Sequence, residues 1–182
     1  MQVVQTVAPT AEPVTLEEAK EFMRILDTDS DTLISSLIAV CREHVENITN
    51  RQLGVATFEL TVSDFISKLP KNPIKSIEKI EYMGVDGNYL TLDSSTYYMY
   101  ERHGIGYISY SEVPNILEHQ KAVKITFIAG YELVPEAIKQ YIKVKASTLY
   151  ENRESYVVGV SIAEFGNEFV ENLLSSYKIR SI

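Results

Sequence analysis

The stretch from residue 127 to residue 138 constrains the fold most, because one structural pattern ends there and another begins. Upstream, Val123, Ile125 and Phe127 alternate with polar residues, which predicts a β-strand. Gly130 interrupts the alternation. Pro135 suits the first turn of a helix, because its missing N–H would be unpaired there. A strand therefore leads into a long amphipathic helix.

The first third of the chain is also predicted to be helical. Thr15 and Glu18 have the spacing of a capping box, in which each side chain binds the other residue's backbone N–H. A helix follows to about residue 25, and the polar residues 27–31 supply a cap for a second helix over residues 32–49. The second helix carries one apolar stripe at helical spacing, which consists of Ile34, Leu37, Ile38, Cys41, Val45 and Ile48.

Between residues 55 and 130 the pattern is that of β-structure. Asp86-Gly87 followed by Asn88 predicts a hairpin turn, because glycine accepts the positive φ that such turns require. The predicted strands cover residues 57–62, 74–82, 89–92, 96–100, 105–110 and 122–128. A β block of this size between helical segments indicates the α+β class, as a small helical bundle with a large antiparallel β insert.

The last part of the chain returns to helix. A third helix is predicted over residues 135–152, with an apolar stripe of Ile138, Ile142 and Leu149 that Tyr141 flanks. This helix completes the helical frame on the far side of the β block.

Beyond the third helix, residues 155–162 are apolar and punctuated by glycine, as in a hairpin arm, and a short helix is predicted over residues 167–175. We interpret the chain as an extended N-terminal arm followed by one domain with three parts. The arm is 1–12 and the domain is 13–182, divided into a helix pair (13–54), the β insert (55–130) and C-terminal helices with a tail (131–182).

The net charge of −8 restricts the class of partner. A protein that grips DNA is usually basic, so this charge argues against such a role but not against a protein that DNA only passes. Cys41 is the one cysteine, which excludes an intrachain disulfide and favours a reducing cytosol. The N-terminal residues lack basic side chains and long apolar runs, so neither a secretory signal nor a membrane span is expected.

Asp27, Asp29 and Asp31 have the spacing that opens a calcium-binding loop. The sixth position of that loop is Thr32 in place of glycine, and the twelfth is Ile38 in place of a bidentate glutamate. The pattern therefore indicates a helix cap and a solvated turn.

Cys41 and His44 lie three positions apart on the second predicted helix, a spacing that could bring a thiol and a base together. Because Cys41 belongs to the apolar stripe, a buried and inert thiol is the favoured interpretation. His103 and His119 fall in predicted loops without the ligand spacing of a zinc site. With no phosphate-binding loop and no nucleophile elbow, the sequence predicts no catalytic residue, cofactor or metal.

The chain has 12 tyrosines and no tryptophan. Several tyrosines lie in predicted strands and could stack on bases or sugars, namely Tyr97, Tyr98, Tyr100, Tyr107 and Tyr110. Because basic residues do not accompany them, cross-strand packing is the favoured interpretation. An acidic, tyrosine-rich domain without catalytic residues is expected to work through its surfaces.

Several short segments follow one another in an order and spacing typical of one protein family. They are Pro13–Lys20, Arg42–Glu46, Thr49–Leu53, Leu69–Ile77, Asp86-Gly87, Ala129–Tyr131, Val134-Pro135, Tyr150–Glu154 and Leu173–Tyr177. From Pro13 onward the chain resembles the head–tail connector, or adaptor, proteins of tailed bacteriophages and prophages. Asn50 stands where relatives often have glycine and Cys41 where a small residue is common, and neither departure threatens the fold.

The resemblance implies a structural protein without a cofactor. Such proteins form a ring, commonly twelvefold, beneath the portal after DNA packaging, and they extend the DNA channel. The implied partners are further copies of the chain, the portal protein and a neck, stopper or tail protein. Double-stranded DNA is only passing cargo, and no membrane is involved. The implied location is the virion neck, after assembly in the bacterial host cytoplasm.

Contacts between subunits and with the portal are expected in residues 151–166 and in the C-terminal segment. The candidate interface residues are Arg153, Tyr156, Val158, Ile162, Phe165, Phe169, Tyr177, Ile179 and Arg180. Two other classes of function remain open at this point. One is a tail-associated module that binds saccharides through its tyrosines, and the other is a small phage enzyme that uses Cys41 with His44, or a carboxylate pair.

Overall fold

A computed structural model of the chain describes residues 1–152, 170 and 172–179. Its helices are α1 (Leu16–Met23), α2 (Asp31–Thr49) and α3 (Glu136–Glu151). Its strands are β1 (Gln2–Val7), β2 (Ala56–Val62), β3 (Ile74–Met83), β4 (Tyr89–Thr91), β5 (Tyr97–Arg102), β6 (Ile105–Tyr110) and β7 (Val123–Ala129). Short 3-10 turns cover Ser94–Thr96 and Ser175–Tyr177.

The chain divides into two compact units. Residues 1–10 and 54–132 form one, which we call the β unit, and residues 11–53 and 133–182 form the other, the helical unit. The β unit contains a five-stranded antiparallel sheet in the order β1-β2-β7-β3-β4 and a two-stranded sheet of β5 and β6. This mixture of helices and antiparallel sheets confirms the predicted α+β class.

Strands β2 and β7 form the centre of the β unit's core. Each alternates strictly between buried and half-buried residues, and the two pair without a register shift. Phe58 and Phe127 are direct partners in this ladder, with ring centroids 5.7 Å apart. Because side chains alternate with a period of two, an unshifted register keeps the buried residues of both strands on one face.

The hairpin of β5 and β6 covers part of the same core with one of its faces. The residues on that face are Tyr97, Met99, Ile108 and Tyr110. The opposite face carries Tyr98, Tyr100 and Tyr107, because neighbouring residues of a strand point to opposite sides.

The predicted break at Gly130 is confirmed, and its cause lies in the backbone. Gly130 has a φ of 127°, and a Cβ at this position would overlap the backbone of Gly54. Its N–H donates a hydrogen bond to the carbonyl oxygen of Pro73 at 2.9 Å. The sequence places Pro135 in the first turn of α3. In the structure Pro135 is instead the N-cap residue of this helix. Its fixed φ suits the extended conformation that an N-cap adopts.

In the helical unit the predicted capping box is confirmed. The Glu18 N–H donates to Thr15 Oγ1 at 3.1 Å, and the Thr15 N–H donates to Glu18 Oε2 at 2.9 Å. The core of this unit is built from one face of α2 and one face of α3, whose buried residues include Ile34, Ile38, Cys41, Val45, Ile138, Tyr141, Ile142 and Ala146.

Three sequence-based expectations need correction. Residues 2–7, interpreted as part of an extended arm, form strand β1 and pair with β2. The N-cap of α2 is Ser30, which lies within the residues 27–31 predicted to supply it, but the expected side-chain capping bond is not made. Tyr141 is fully buried while Leu149 is exposed, the reverse of the predicted stripe and flank. The arm at residues 155–162 lies outside the described residues, as do residues 167–169 and 171 of the last predicted helix.

Candidate assembly surface

The C-terminal end of α2 is organised by one carboxylate. Glu46 Oε1 accepts hydrogen bonds from the Leu53 backbone N–H and from Gln52 Nε2, each at 2.9 Å. Glu46 Oε2 accepts from Arg42 Nη1 at 2.8 Å. Asn50 ends the helix in the left-handed conformation, with a φ of 55°. The Glu46 side chain thus fixes the path of the chain as it leaves the helix.

Arg42 carries the charge that balances Glu46. Its Nε also donates to Glu12 Oε2 at 2.7 Å, so two carboxylates flank one guanidinium. Burial opposes the charged form of Arg42, but the nearby carboxylates of Glu46 and Glu12 outweigh it and raise the pKa of the guanidinium. This network joins Glu12, which precedes α1, to the C-terminal half of α2.

The described C-terminal residues dock onto this same end of α2. The Ile179 N–H donates to the carbonyl oxygen of Thr49 at 3.0 Å, and Arg51 Nε donates to the carbonyl oxygen of Tyr177 at 2.6 Å. Leu174 is fully buried. The segment is therefore held by two hydrogen bonds to its own backbone and by the buried side chain of Leu174, while Lys178 is exposed.

Two of the predicted interface residues, Tyr177 and Ile179, belong to this docked segment and are half-buried. The others lie outside the described residues, namely Arg153, Tyr156, Val158, Ile162, Phe165, Phe169 and Arg180. Sequence reasoning did not identify Arg51 and Thr49 as the groups that hold the segment. Both lie in the family motif Thr49–Leu53. The motif marked this segment, but its residue types did not reveal which backbone groups they bind.

A second exposed feature lies on the outer face of the β5–β6 hairpin. The rings of Tyr98 and Tyr100 are 6.0 Å apart, and those of Tyr100 and Tyr107 are stacked at 5.4 Å. Tyr98 is 62% exposed and Tyr100 is 42% exposed. The predicted cross-strand packing of tyrosines is confirmed for Tyr100 and Tyr107, which are partners in the ladder.

The Cys41 thiol is not arranged for nucleophilic chemistry. Its residue is 3% exposed, and burial raises the pKa of the thiol to about 11, so it is protonated at neutral pH. The ring of His44 stacks on that of Tyr141, with centroids 6.4 Å apart. The predicted buried thiol is confirmed.

The aspartates of residues 27–31 serve the turn between α1 and α2. Asp31 Oδ1 accepts a hydrogen bond from Lys20 Nζ at 2.6 Å, and Asp27 Oδ1 accepts from the Asp29 N–H at 3.2 Å. Within the described ranges, no group of three or more histidine, cysteine, aspartate or glutamate side chains is arranged to hold a metal ion. In the same part of the chain, no helix combines the length and the apolar character needed to cross a membrane.

A family model described as phage gp6-like head-tail connector protein matches residues 13–127 of the chain. No curated protein matches it. The match begins two residues before Thr15 and extends through most of β7, so it includes α1, α2 and strands β2 to β6 but not β1.

Solved structures share the fold over the whole chain. A chain of "Virion of native gene transfer agent (GTA) particle" has a TM-score of 0.80 at 18% sequence identity, covering 100% of this chain and 98% of that one. A chain of "Neck of empty GTA particle computed with C6 symmetry" has a TM-score of 0.79 at 18% identity, with the same coverage. A chain of "Neck of native GTA particle computed with C12 symmetry" has a TM-score of 0.66 at 20% identity, again with that coverage. At such identities the likeness establishes the fold.

Proposed function

The chain belongs to the phage gp6-like head-tail connector family, and from this membership we propose that its copies form a closed ring beneath the portal of a virion. The family consists of structural proteins of the virion and not of enzymes. The ring would extend the DNA channel of the portal and provide a platform for the next neck or tail protein. Assembly would take place in the cytoplasm of the bacterial host.

The family match carries this proposal, and the likeness of the chain to chains of two neck structures supports it. The likeness covers 100% of this chain, and the two neck structures were computed with C6 and C12 symmetry. A closed ring requires each subunit to offer two different patches that fit one another, a heterologous contact whose rotation closes. Twelve copies per ring agree with the symmetry of the native neck.

The acidic composition supports a channel that DNA passes without binding. With a net charge of −8, the protein as a whole repels the phosphate backbone at short range. This repulsion is screened beyond a Debye length of about 8 Å, so it acts only near the wall of the channel. A ring structure with a basic channel wall would contradict this part of the proposal.

The docked C-terminal segment supports a role in contacts with neighbouring subunits and the portal. Tyr177 and Ile179 are fixed to the end of α2 through their backbones, which leaves the side chain of Lys178 exposed beside them. A segment held in this way presents a defined surface to a partner at little entropic cost. We assign the remaining candidates, Arg153, Tyr156, Val158, Ile162, Phe165, Phe169 and Arg180, to the same contacts.

We further propose that the helical unit and the β unit act as one connector domain, in which the β unit is an insert of the helical unit. The chain passes between the two units near residues 10, 53 and 132. The sequence suggested an extended arm over residues 1–12, and residues 2–7 of it contribute strand β1 to the β unit.

The proposal can be tested by native mass spectrometry and electron microscopy of the purified protein, with and without the portal protein. We expect closed rings on the portal, whether or not the protein is monomeric alone. The variant Y156A/V158A should assemble less well, whereas the control V113A, which truncates an exposed loop residue of the β unit, should assemble normally. Failure to associate with a portal, turnover of a substrate, or glycan binding by a monomer would contradict the proposal.

A further inference from the structure

Strand β1 forms one edge of the five-stranded sheet. It pairs with β2 through residues 2–7, with one irregularity between Gln5 and Val7, and no strand in the described part of the chain pairs with its outer side. Along an edge strand of an antiparallel sheet, about half of the N–H and C=O groups point away from the sheet. Such a row of backbone groups is a template for another strand.

The sequence of β1 lacks the usual protection of an edge. Gln-Val-Val-Gln-Thr-Val contains no charged residue and no proline, and its β-branched residues favour extended structure. The opposite edge, β4, is three residues long, whereas β1 has six. A short edge discourages pairing, so β1 is the edge of this sheet that is suited to accept a strand.

The β5–β6 hairpin offers an edge of equal length. The outer side of β6 is occupied, because the Leu69 N–H donates to Gly106 O at 3.0 Å and the Ile108 N–H donates to Ser67 O at 2.7 Å. Strand β5 has six residues and, within the described ranges, pairs only with β6. The β unit therefore has two edges of six residues, one on each of its sheets.

We propose that β1 of one copy adds to the free edge of β5 in the neighbouring copy, so that the contact between subunits is a shared sheet. This inference rests on the proposed ring, which needs two different patches on each subunit. The side chains are complementary in kind. Val4 is 45% exposed on β1, and Tyr98 and Tyr100 are exposed on β5, and β-branched residues pair favourably with aromatic ones across strands.

Hydrogen exchange tests the pairing directly. The amides of residues 2–7 and 97–102 are compared by mass spectrometry in the monomer and in the ring assembled on portal. We expect about half of the amides in each strand to exchange at least tenfold more slowly in the ring, because outward N–H groups gain partners.

The outcomes separate this inference from the proposed function. A ring in which neither strand gains protection overturns the shared sheet and leaves the ring intact. If β1 gains protection and β5 does not, then β1 pairs with a different partner, and the proposed pairing is overturned. A protein that never forms a ring on the portal overturns the ring and this inference together.

A charge on the edge provides the second test. In V4K the new ammonium group stands opposite Glu59 in the β1–β2 ladder, so a cross-strand ion pair favours the monomer fold. Because a lysine on an edge strand discourages strand addition, we expect assembly to need about tenfold more protein. The control V85K changes an exposed valine in the turn between β3 and β4 and should assemble normally. Equal assembly of V4K and V85K would overturn the proposal.

Discussion

Arg51 donates a hydrogen bond from Nε to the carbonyl oxygen of Tyr177, at 2.6 Å and across 126 positions of sequence. This bond and the one from Ile179 to Thr49 attach the C-terminal segment to the end of α2. A guanidinium is well suited to this position because its rigid, permanently charged donors can hold a backbone oxygen in a fixed direction.

The first prediction concerns this anchor. R51A should lower the free energy of unfolding by about 2 kcal/mol, since a hydrogen bond from a charged donor is lost. It should also make the peptide bonds around Tyr177 more susceptible to limited proteolysis. Urea denaturation and timed protease digestion measure the two effects. K178A, which truncates an exposed side chain of the same segment, is the matched control and should change neither. An R51A protein as stable and as protease-resistant as the control would show that the bond does not hold the segment.

The second prediction concerns Glu46. E46A removes the acceptor for both the Leu53 N–H and Gln52 Nε2, and it leaves Arg42 with one fewer carboxylate. We expect a loss of about 3 kcal/mol in unfolding free energy, because buried donors then lack partners. The measurement is chemical denaturation followed by circular dichroism.

The neighbouring E43A variant provides the comparison for E46A. Glu43 is 66% exposed in its side chain and lies 3.4 Å from Arg42, a surface contact worth about 0.5 kcal/mol or less. Similar losses in both variants would mean that Glu46 contributes only surface charge and does not organise the end of the helix.

The parts of the fold that were predictable from sequence are those set by local chemistry. The capping box of Thr15 and Glu18 depends on residues three positions apart, and the turn at Gly87, with a φ of 82°, depends on glycine's own freedom. Helix α2 begins one residue from its predicted start and ends where predicted, because a long apolar stripe defines both.

Strand β1 was not predictable in this way. Gln2 to Val7 has no alternating pattern, since two valines are adjacent and both faces carry polar residues. Its structure comes from pairing with residues 57–61, which lie 50 to 59 positions away (57 − 7 and 61 − 2). The anchor from Arg51 to Tyr177 has the same character. Its residue types reveal no partner, because the acceptor is a backbone carbonyl that any residue could supply.

The third prediction concerns the join between strand β7 and helix α3. G130A should lower the unfolding free energy by about 3 kcal/mol, because alanine is strained at a φ of 127° and its Cβ would overlap the backbone of Gly54. Thermal denaturation measures the loss. The control is G84A, at a position with an ordinary φ whose new Cβ would meet mainly the Asp86 and Leu90 side chains, and it should cost about 1 kcal/mol or less. Equal losses of unfolding free energy in G130A and G84A would show that the backbone conformation at Gly130 does not require glycine.

The fourth prediction concerns Cys41 and separates the structural role from an enzymatic one. Burial raises the pKa of its thiol from the ordinary 9.0 to about 11, so the folded protein keeps this proton to a higher pH than the unfolded chain does. Stability is therefore full below pH 9 and falls as the pH rises from 9 towards 11, by about 1 kcal/mol per pH unit. At pH 7 the native thiol should resist alkylation by iodoacetamide, and rapid labelling of the folded protein would contradict its burial.

The variant C41A identifies the source of this pH dependence. Burial also raises the pKa of Tyr110 above its ordinary 10.0, so that tyrosine destabilises the fold only above about pH 10. Burial likewise raises the pKa of Tyr97 above its ordinary 10.0. Among the described residues, the thiol is therefore the group whose ionisation differs most between pH 9 and 10, and C41A should show a nearly flat stability in that interval. Its absolute stability should be lower than that of the parent, because a small cavity remains in the core of the helical unit. A slope in C41A equal to that of the parent would assign the alkaline instability to other groups and would remove the evidence for a buried, proton-bearing thiol.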